Sequence, residues 1–320
     1  MKLSNQKIAI VSLADENYFH LLEDLINSIK SFNQSKDLSI CILDAGLSEE
    51  QKKKITGKVH SIKKAKWDIE VDQKKIRNRE WLKSQVCRPF LPNYFPEFDK
   101  IIWIDCDAWI NSWVAIEHLI NGSKDNKIAM CNMSDRHTGR VLRVNWLYRS
   151  LGIIKSQNLK HGLSSGYGVK ESQFMGTEPH LNVGVFALNS QSPIWNIWQK
   201  NLKVSLKKGR IFGSEQIALN YSVYIDKCEI ELLPYYCNWI PFSNTTYWDE
   251  DRKLFVERYY PHNEIGIMHL AGGVFIDGKD MRYDRNLKTK VKTITGNIKD
   301  KSFRYSIDCL LYTSPSPRDA

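Results

Sequence analysis

An α/β fold with a mostly parallel central sheet and a small irregular C-terminal part is what this sequence predicts. Three observations carry that expectation. Short β-branched runs alternate with stretches of helical apolar spacing from residue 7 to residue 132. The run Ile101, Ile102, Trp103 and Ile104 is continuously apolar, as in a strand covered on both faces. A chain of 320 residues, 42% hydrophobic and 26% charged, has the length and composition for a large globular core. It contains no apolar run approaching the ~20 residues of a membrane span.

Each element follows from its own pattern. Residues 7–12 form the first β-branched run. Leu21, Leu22, Leu25, Ile26 and Ile29 recur at helical spacing and predict a helix over 18–32. Residues 38–43 read as the second strand. Ser48 with Gln51 three positions on is a capping-box spacing that opens another helix. Residues 67–71 alternate like a strand, and 85–94 read as helix broken by Pro89 and Pro92. After the apolar strand come a helix near 114–120 and a strand at 128–132. Residues 137–179, rich in Gly, Ser and basic side chains, read as a lid or insertion. Residues 181–188 are strand-like, 195–206 helical, and 214–223 a helix with Ser214 as N-cap. Residues 238–246 read as a polar loop, and the core-like signal fades beyond Arg285.

The apolar strand ends in Asp105, Cys106 and Asp107. Residues two apart on a strand point the same way, so the two carboxylates converge at its C-terminal end. Ligands of open α/β sheets bind at that edge. Two adjacent carboxylates repel unless a cation or proton lies between them, and a divalent metal with oxygen ligands is the natural occupant. The same tripeptide also suits a phosphatase of the Asp-x-Asp type, although that chemistry is expected near an N-terminus.

Charge and cysteines narrow the partners. The net charge of +10 is spread along the chain, with short runs such as Lys52, Lys53 and Lys54. It reads as a solvated basic surface that favours anionic partners, either a diphosphate ligand or an acidic membrane face. No recognition motif supports nucleic-acid binding. Seven cysteines without a Cys-x-x-Cys pair fit free thiols. The opening residues carry no signal-peptide pattern, so the expected location is the cytoplasm, with peripheral contact at the inner membrane face.

Several motifs, taken in order, resemble the retaining glycosyltransferases of family 8, which include lipopolysaccharide galactosyltransferases and glycogenin. Ala14, Asp15, Glu16, Asn17 and Tyr18 resemble the family's first-strand loop. Leu43, Asp44, Ala45, Gly46, Leu47 and Ser48 resemble its second-strand turn. Asp105 and Asp107 fall on its metal-binding pair. Leu181, Asn182, Val183 and Gly184 resemble its Asn-x-Gly strand, and Glu215, Gln216, Leu219 and Asn220 its Asp-Gln-x-x-Leu-Asn segment. His269, Leu270, Ala271 and Gly272 resemble the start of its His-x-x-Gly-x-x-Lys motif. Glu215 stands for the family's Asp, and Phe275 occupies the position of its diphosphate-binding Lys.

The resemblance implies a GT-A fold: one Rossmann-like nucleotide-binding domain over residues 1–285. A C-terminal extension follows over 286–308, expected to be truncated, and then 309–320, which read as a foreign tail translated from a sequencing adapter. The implied activity is metal-dependent transfer of a hexose from a UDP-sugar to a glycan or lipid-linked acceptor, with retention of anomeric configuration. A catalytically inactive nucleotide-sugar-binding protein of the same fold is the alternative. The implied metal, Mn2+ or Mg2+, takes Asp105, Asp107 and His269, whose ligating atoms should lie within roughly 3–6 Å of one another given metal bonds of about 2 Å. The donor takes Ala14, Asp15, Asn17, Tyr18, Arg79, Arg88, Cys106 and Gly272. Lys279 is the expected substitute for the family lysine. Glu215, Gln216 and Asn182 are the expected residues beside the anomeric carbon.

Overall fold

The apolar runs become the middle of a seven-stranded sheet in the computed structural model, which describes residues 6–137, 143–148 and 151–306. The first half supplies β1 (Ile8–Ala14), α1 (Phe19–Lys30), β2 (Ser39–Asp44), α2 (Glu49–Thr56) and β3 (Ser61–Lys64). Three one-turn helices follow: α3 (Gln73–Ile76), α4 (Ser84–Cys87) and α5 (Leu91–Tyr94). Next come β4 (Lys100–Ile104), β5 (Ala108–Ile110), α6 (Val114–Gly122) and β6 (Ile128–Asn132). The stretch read as an insertion contains a hairpin, β7 (Arg143–Tyr148) and β8 (Leu151–Lys155), and two helices, α7 (Gln157–Ser164) and α8 (Val169–Thr177). Then follow β9 (Leu181–Asn189), α9 (Ile194–Lys208), α10 (Ser214–Tyr224) and β10 (Ile230–Leu232).

The strand order is β3-β2-β1-β4-β9-β6-β10, parallel throughout except for β9, which runs against both neighbours. Alternate residues of the central strands feed opposite faces. Val11, Leu13, Ile101 and Trp103 pack with Trp198, Leu202, Ala218 and Leu219 of α9 and α10. Ile8, Ile10, Ile102 and Ile104 pack on the other side with Leu22, Leu25 and Ile26 of α1 and Ile116 and Leu119 of α6. Helices on both faces explain why β1 and β4 are buried along their whole length.

A smaller layer is built by β11 (Thr246–Asp249), β12 (Leu254–Glu257), β13 (Ile267–His269), β14 (Phe275–Ile276), β15 (Lys279–Asp280), β16 (Thr289–Thr293) and β17 (Ile298–Lys301). It closes over Trp109, Trp239, Trp248 and Phe255.

Several expectations are corrected. Residues 67–71 form no strand; Trp67, Ile69 and Val71 rest half-buried against the first core face. The third strand is instead β3, whose lysines mark it as a sheet edge and hide it from an apolar search. Ser214 is not the N-cap of α10: Gly213 takes that place at φ 79°, and Ser214 Oγ donates to the Ile211 carbonyl at 2.6 Å. The core does not fade after Arg285, because Val291, Phe303 and Tyr305 are buried in the third cluster. The residues read as a foreign tail lie outside the described ones. The six described cysteines are free, and no helix among the described residues is long and apolar enough to cross a membrane.

Candidate active site

Backbone pairing assembles the acidic cluster. The Asp105 N–H donates to the Gly184 carbonyl (2.8 Å), and the Leu270 N–H to the Asp107 carbonyl (2.8 Å). Antiparallel pairing of β5 with β13 sets His269 opposite Ala108. Its Nε2 consequently lies 3.2 Å from Asp107 Oδ1 and 3.8 Å from Asp105 Oδ2. One ligating atom from each of the three residues falls within 4.8 Å of the others.

The histidine's orientation is fixed from behind. Asn238 Nδ2 donates to Asn182 Oδ1 (3.2 Å), which leaves Asn238 Oδ1 to accept from His269 Nδ1 (2.8 Å). That assignment turns the Nε2 lone pair toward the carboxylates, as a metal-binding imidazole requires. The floor is Gly184, where a Cβ would lie 2.4 Å from His269 Cε1 and 2.9 Å from both Asn182 Oδ1 and Asp105 Oδ2. The donor set and the space reserved above Gly184 fit a divalent cation with mixed carboxylate and imidazole ligands.

The charges are interdependent. Burial raises the Asp105 carboxyl, against the pull of Arg88 and His269. Burial also opposes ionisation of Asp107, but His269 and Arg282 together hold it below its ordinary value. Burial disfavours a charged His269, yet Asp107 and then Asp105 hold its pKa above the usual imidazole range. A proton and a divalent cation are alternative ways to neutralise such a cluster.

Arg88, only 4% exposed, bridges this cluster to the next. Its Nη2 donates to Asp105 Oδ1 and its Nη1 to Glu215 Oε1, each at 2.5 Å, and its guanidinium lies 4.9 Å from the Trp103 ring centre. Glu215 opens α10, and burial pushes its carboxyl up to about 7 against the opposing pull of Arg88. Its second oxygen, Oε2, is buried without a hydrogen-bond partner. Gln216 beside it is held by His180. Asn158 Nδ2 donates to the Glu178 carbonyl (3.1 Å), so Asn158 Oδ1 accepts from His180 Nδ1 (2.5 Å). His180 Nε2 therefore accepts from Gln216 Nε2 at 2.5 Å. Burial, with His161 nearby, pushes His180 down to about 3, so the ring is a fixed neutral support.

Asp105, Asp107, His269, Arg88, Glu215, Gln216 and His180 wall one cavity of about 660 Å³. Of the residues expected at the site, Ala14, Asp15, Tyr18, Arg88, Cys106, Asn182, Glu215, Gln216 and Gly272 line it along with the three ligand candidates. Asp15 Oδ1 accepts from the Tyr18 N–H at 3.1 Å, which orients that loop. Asn17, Arg79 and Lys279 are exposed and lie outside the cavity wall. Arg79 instead donates to the carbonyls of Ile76 and Lys75.

Sequence reasoning missed Arg282. Its Nη1 is 4.0 Å from Asp107 Oδ2 and 3.4 Å from the Tyr18 hydroxyl, and Asp280 Oδ2 accepts from its Nε (2.9 Å) and Nη2 (2.7 Å). The chain reaches it through Gly272, Gly273 and Gly278, all at positive φ, so the loop's path was not legible from spacing. Asn238 and His180 were missed as well. Each acts through another side chain, and no local motif marks that role.

The sequence model of the family described as Glycosyl transferase family 8 matches residues 9–192. None of the curated proteins compared with the chain matches it. Among solved structures, the apo form of the WbbM bifunctional glycosyltransferase is similar in fold, with a TM-score of 0.53 and 14% identity. That likeness covers 88% of this chain and 49% of the WbbM chain, so this chain spans about half of that relative. An active-site mutant of LgtC superposes with a TM-score of 0.51 at 14% identity, covering 87% of this chain and 93% of that one. At such identity the likeness is one of fold, that of GT-A glycosyltransferases.

Proposed function

The chain belongs to glycosyl transferase family 8, and from that premise we propose that it moves a hexose from a UDP-sugar to a glycan or lipid-linked saccharide, with retention at the anomeric carbon. The observation that carries this reading is the convergence of Asp105, Asp107 and His269 within 4.8 Å at the ligand-binding edge of the sheet. Mn2+ or Mg2+ held there supplies Lewis-acid charge to offset the negative charge that builds on the leaving diphosphate.

The protein's own groups do the rest. Asp15, at the mouth of the first-strand loop, accepts from the uracil imide N–H, and Tyr18 packs beside it. Arg282 is half-buried in the cavity wall and faces Asp107 across 4.0 Å, so it is the cation suited to the diphosphate oxygens. Arg88 is committed to two carboxylates and orients Asp105 and Glu215. Glu215, oriented by Arg88 in the cavity wall, stands beside the donor sugar. Gln216 and Asn182 border the anomeric carbon, and His180 and Asn238 keep their amides from turning. In the transfer itself the bond from C1 to the phosphate oxygen breaks. The acceptor oxygen bonds to C1 and its proton leaves with the UDP phosphate. The basic surface suits a peripheral position on an acidic membrane face, where lipid-linked acceptors reside.

Asp107→Asn tests the reading. It removes one anionic ligand without changing side-chain volume, so the circular dichroism spectrum should be unchanged. Metal-dependent UDP release from a UDP-sugar panel should drop at least about a hundredfold, the scale of losing one strong transition-state charge contact. Turnover equal to the parent's would remove the metal from the reaction.

A further inference from the structure

A second group of wall residues stands apart from the acidic cluster in the same cavity. Gly213 Cβ would lie 3.8 Å from His161 Nδ1, and the rings of Trp81 and Phe212 meet edge to face at 5.9 Å. The loop that carries this group is built, not slack. Ile211 is buried at 2% exposure, the Lys75 ammonium donates to the carbonyls of Leu206 and Gly209 (3.0 Å each), and buried Gln85 accepts from the Gly213 N–H (2.8 Å). With Ile211 anchored inward, its neighbours Arg210 and Phe212 are both exposed.

Phe212 is 56% exposed although it lines the cavity. A bare aromatic beside a half-buried Trp81 is the kind of surface that packs against the C–H face of a sugar ring. Arg210 forms no ion pair with any described residue. The field at this end is positive: burial lowers the His161 pKa, and Arg210 and Lys160 lower it further. The cavity's carboxylates, Asp15, Asp105, Asp107 and Glu215, belong to the donor loops and the Arg88 cluster.

We propose that this end of the cavity is the acceptor subsite and that its substrate is a saccharide carrying an anionic group, carboxylate or phosphate, close to the hydroxyl that is glycosylated. The proposal rests on the transferase reading above and deepens it. Trp81 and Phe212 form the platform for the ring. The Arg210 guanidinium forks onto the anion, and His161, held neutral, serves a ring hydroxyl. The glutamine and asparagine at the anomeric carbon then stand between donor and acceptor.

Binding of small acceptors in the presence of UDP and Mn2+ tests this directly, read by calorimetry or saturation-transfer NMR. The probes are methyl hexosides of gluco and galacto configuration, the matching hexuronides, the matching hexoside phosphates, and inorganic phosphate. At least one acidic sugar is expected to bind about tenfold tighter than its neutral counterpart. Arg210→Gln should abolish that preference, and Phe212→Ala should weaken every sugar while leaving inorganic phosphate unaffected. Tighter binding of the hexuronide assigns a carboxylate, and tighter binding of the phosphorylated sugar assigns a phosphate. Equal binding of neutral and acidic sugars, no binding of any sugar, or a preference that survives Arg210→Gln would overturn the proposal. So would an affinity reproduced by inorganic phosphate alone and insensitive to Phe212. Both substituted side chains are exposed, so the variants should fold as the parent does. If the parent releases no UDP from any UDP-sugar, the transferase reading fails instead, and the binding preference remains measurable.

Discussion

At the scale of single residues, one guanidinium is shared by the buried carboxylate of Glu215 and the partly exposed one of Asp105, which also accepts from Trp103 Nε1 at 2.8 Å. Arg88 serves Asp105 and Glu215 together, and burial pushes Glu215 up to about 7, above the ordinary carboxylate range. An acid whose folded-state pKa is raised keeps its proton longer in the folded chain than in the unfolded one. Its contribution to stability is therefore full at low pH and lost as pH rises through about 7. In the metal-free protein the Glu215 share of stability should fall across pH 4.5 to 7 by at most about 1.4 kcal/mol per pH unit, while His180, held down at about 3, contributes with the opposite sign below pH 6.5. Urea titrations of the parent and of Glu215→Gln isolate that share, since the amide does not titrate; parallel pH profiles for the two would show that Glu215 is ionised throughout. The carboxylate pair was legible because a two-residue spacing on a strand fixes direction. Arg282 was not, because three positive-φ glycines set its loop, and Asn238 was not, because its role exists only through the tautomer of His269.

At the scale of elements, the direction of β9 decides what stands at the active edge. A parallel strand would bring its C-terminal end there. Running against β4 and β6, β9 brings its beginning, so Asn182 and Gly184 meet Asp105. The apolar run of β9 was plain in the sequence. Its direction was not, because strand polarity depends on the connection before it, a stretch rich in Gly, Ser and basic residues that gives no clear pattern. Edge strands such as β3 escaped for the opposite reason: only Ile62 among its residues is apolar, so no run marks it. Gly184→Ala tests the close approach of β9 to β13. The added methyl must displace the His269 ring, since 2.4 Å is too short for two carbons in contact. Overpacking of this kind should cost about 1–3 kcal/mol of stability. Mn2+ affinity, measured by electron paramagnetic resonance, should fall by about tenfold or more; affinity equal to the parent's would mean that His269 is not a ligand.

At the scale of the whole molecule, the C-terminal segment is tied to the first helix through buried charge. Asp24 on α1 accepts from Arg304 Nε at 2.6 Å and pairs with Arg285, while Phe303 and Tyr305 enter the third core cluster. Removing one partner of a buried pair leaves the other charge desolvated. Arg304→Met should therefore cost about 3 kcal/mol, the low end of the range for such losses because Arg285 remains. Denaturant titration checks this, and a change within error of zero would mean that the tie carries no stability. The same layer carries His269, and that has a consequence for how the protein comes into being. Roughly 160 residues separate Asp105 from His269. At the ~5–20 residues per second of translation, the two acids emerge on the order of 10–30 s before their histidine. The nascent chain can lay down most of its sheet in that interval while remaining unable to complete the three-ligand cluster. A copy interrupted between β10 and β13 would thus carry every strand of the seven-stranded sheet and still lack the histidine of the cluster, so that the cluster is completed late in synthesis and all at once.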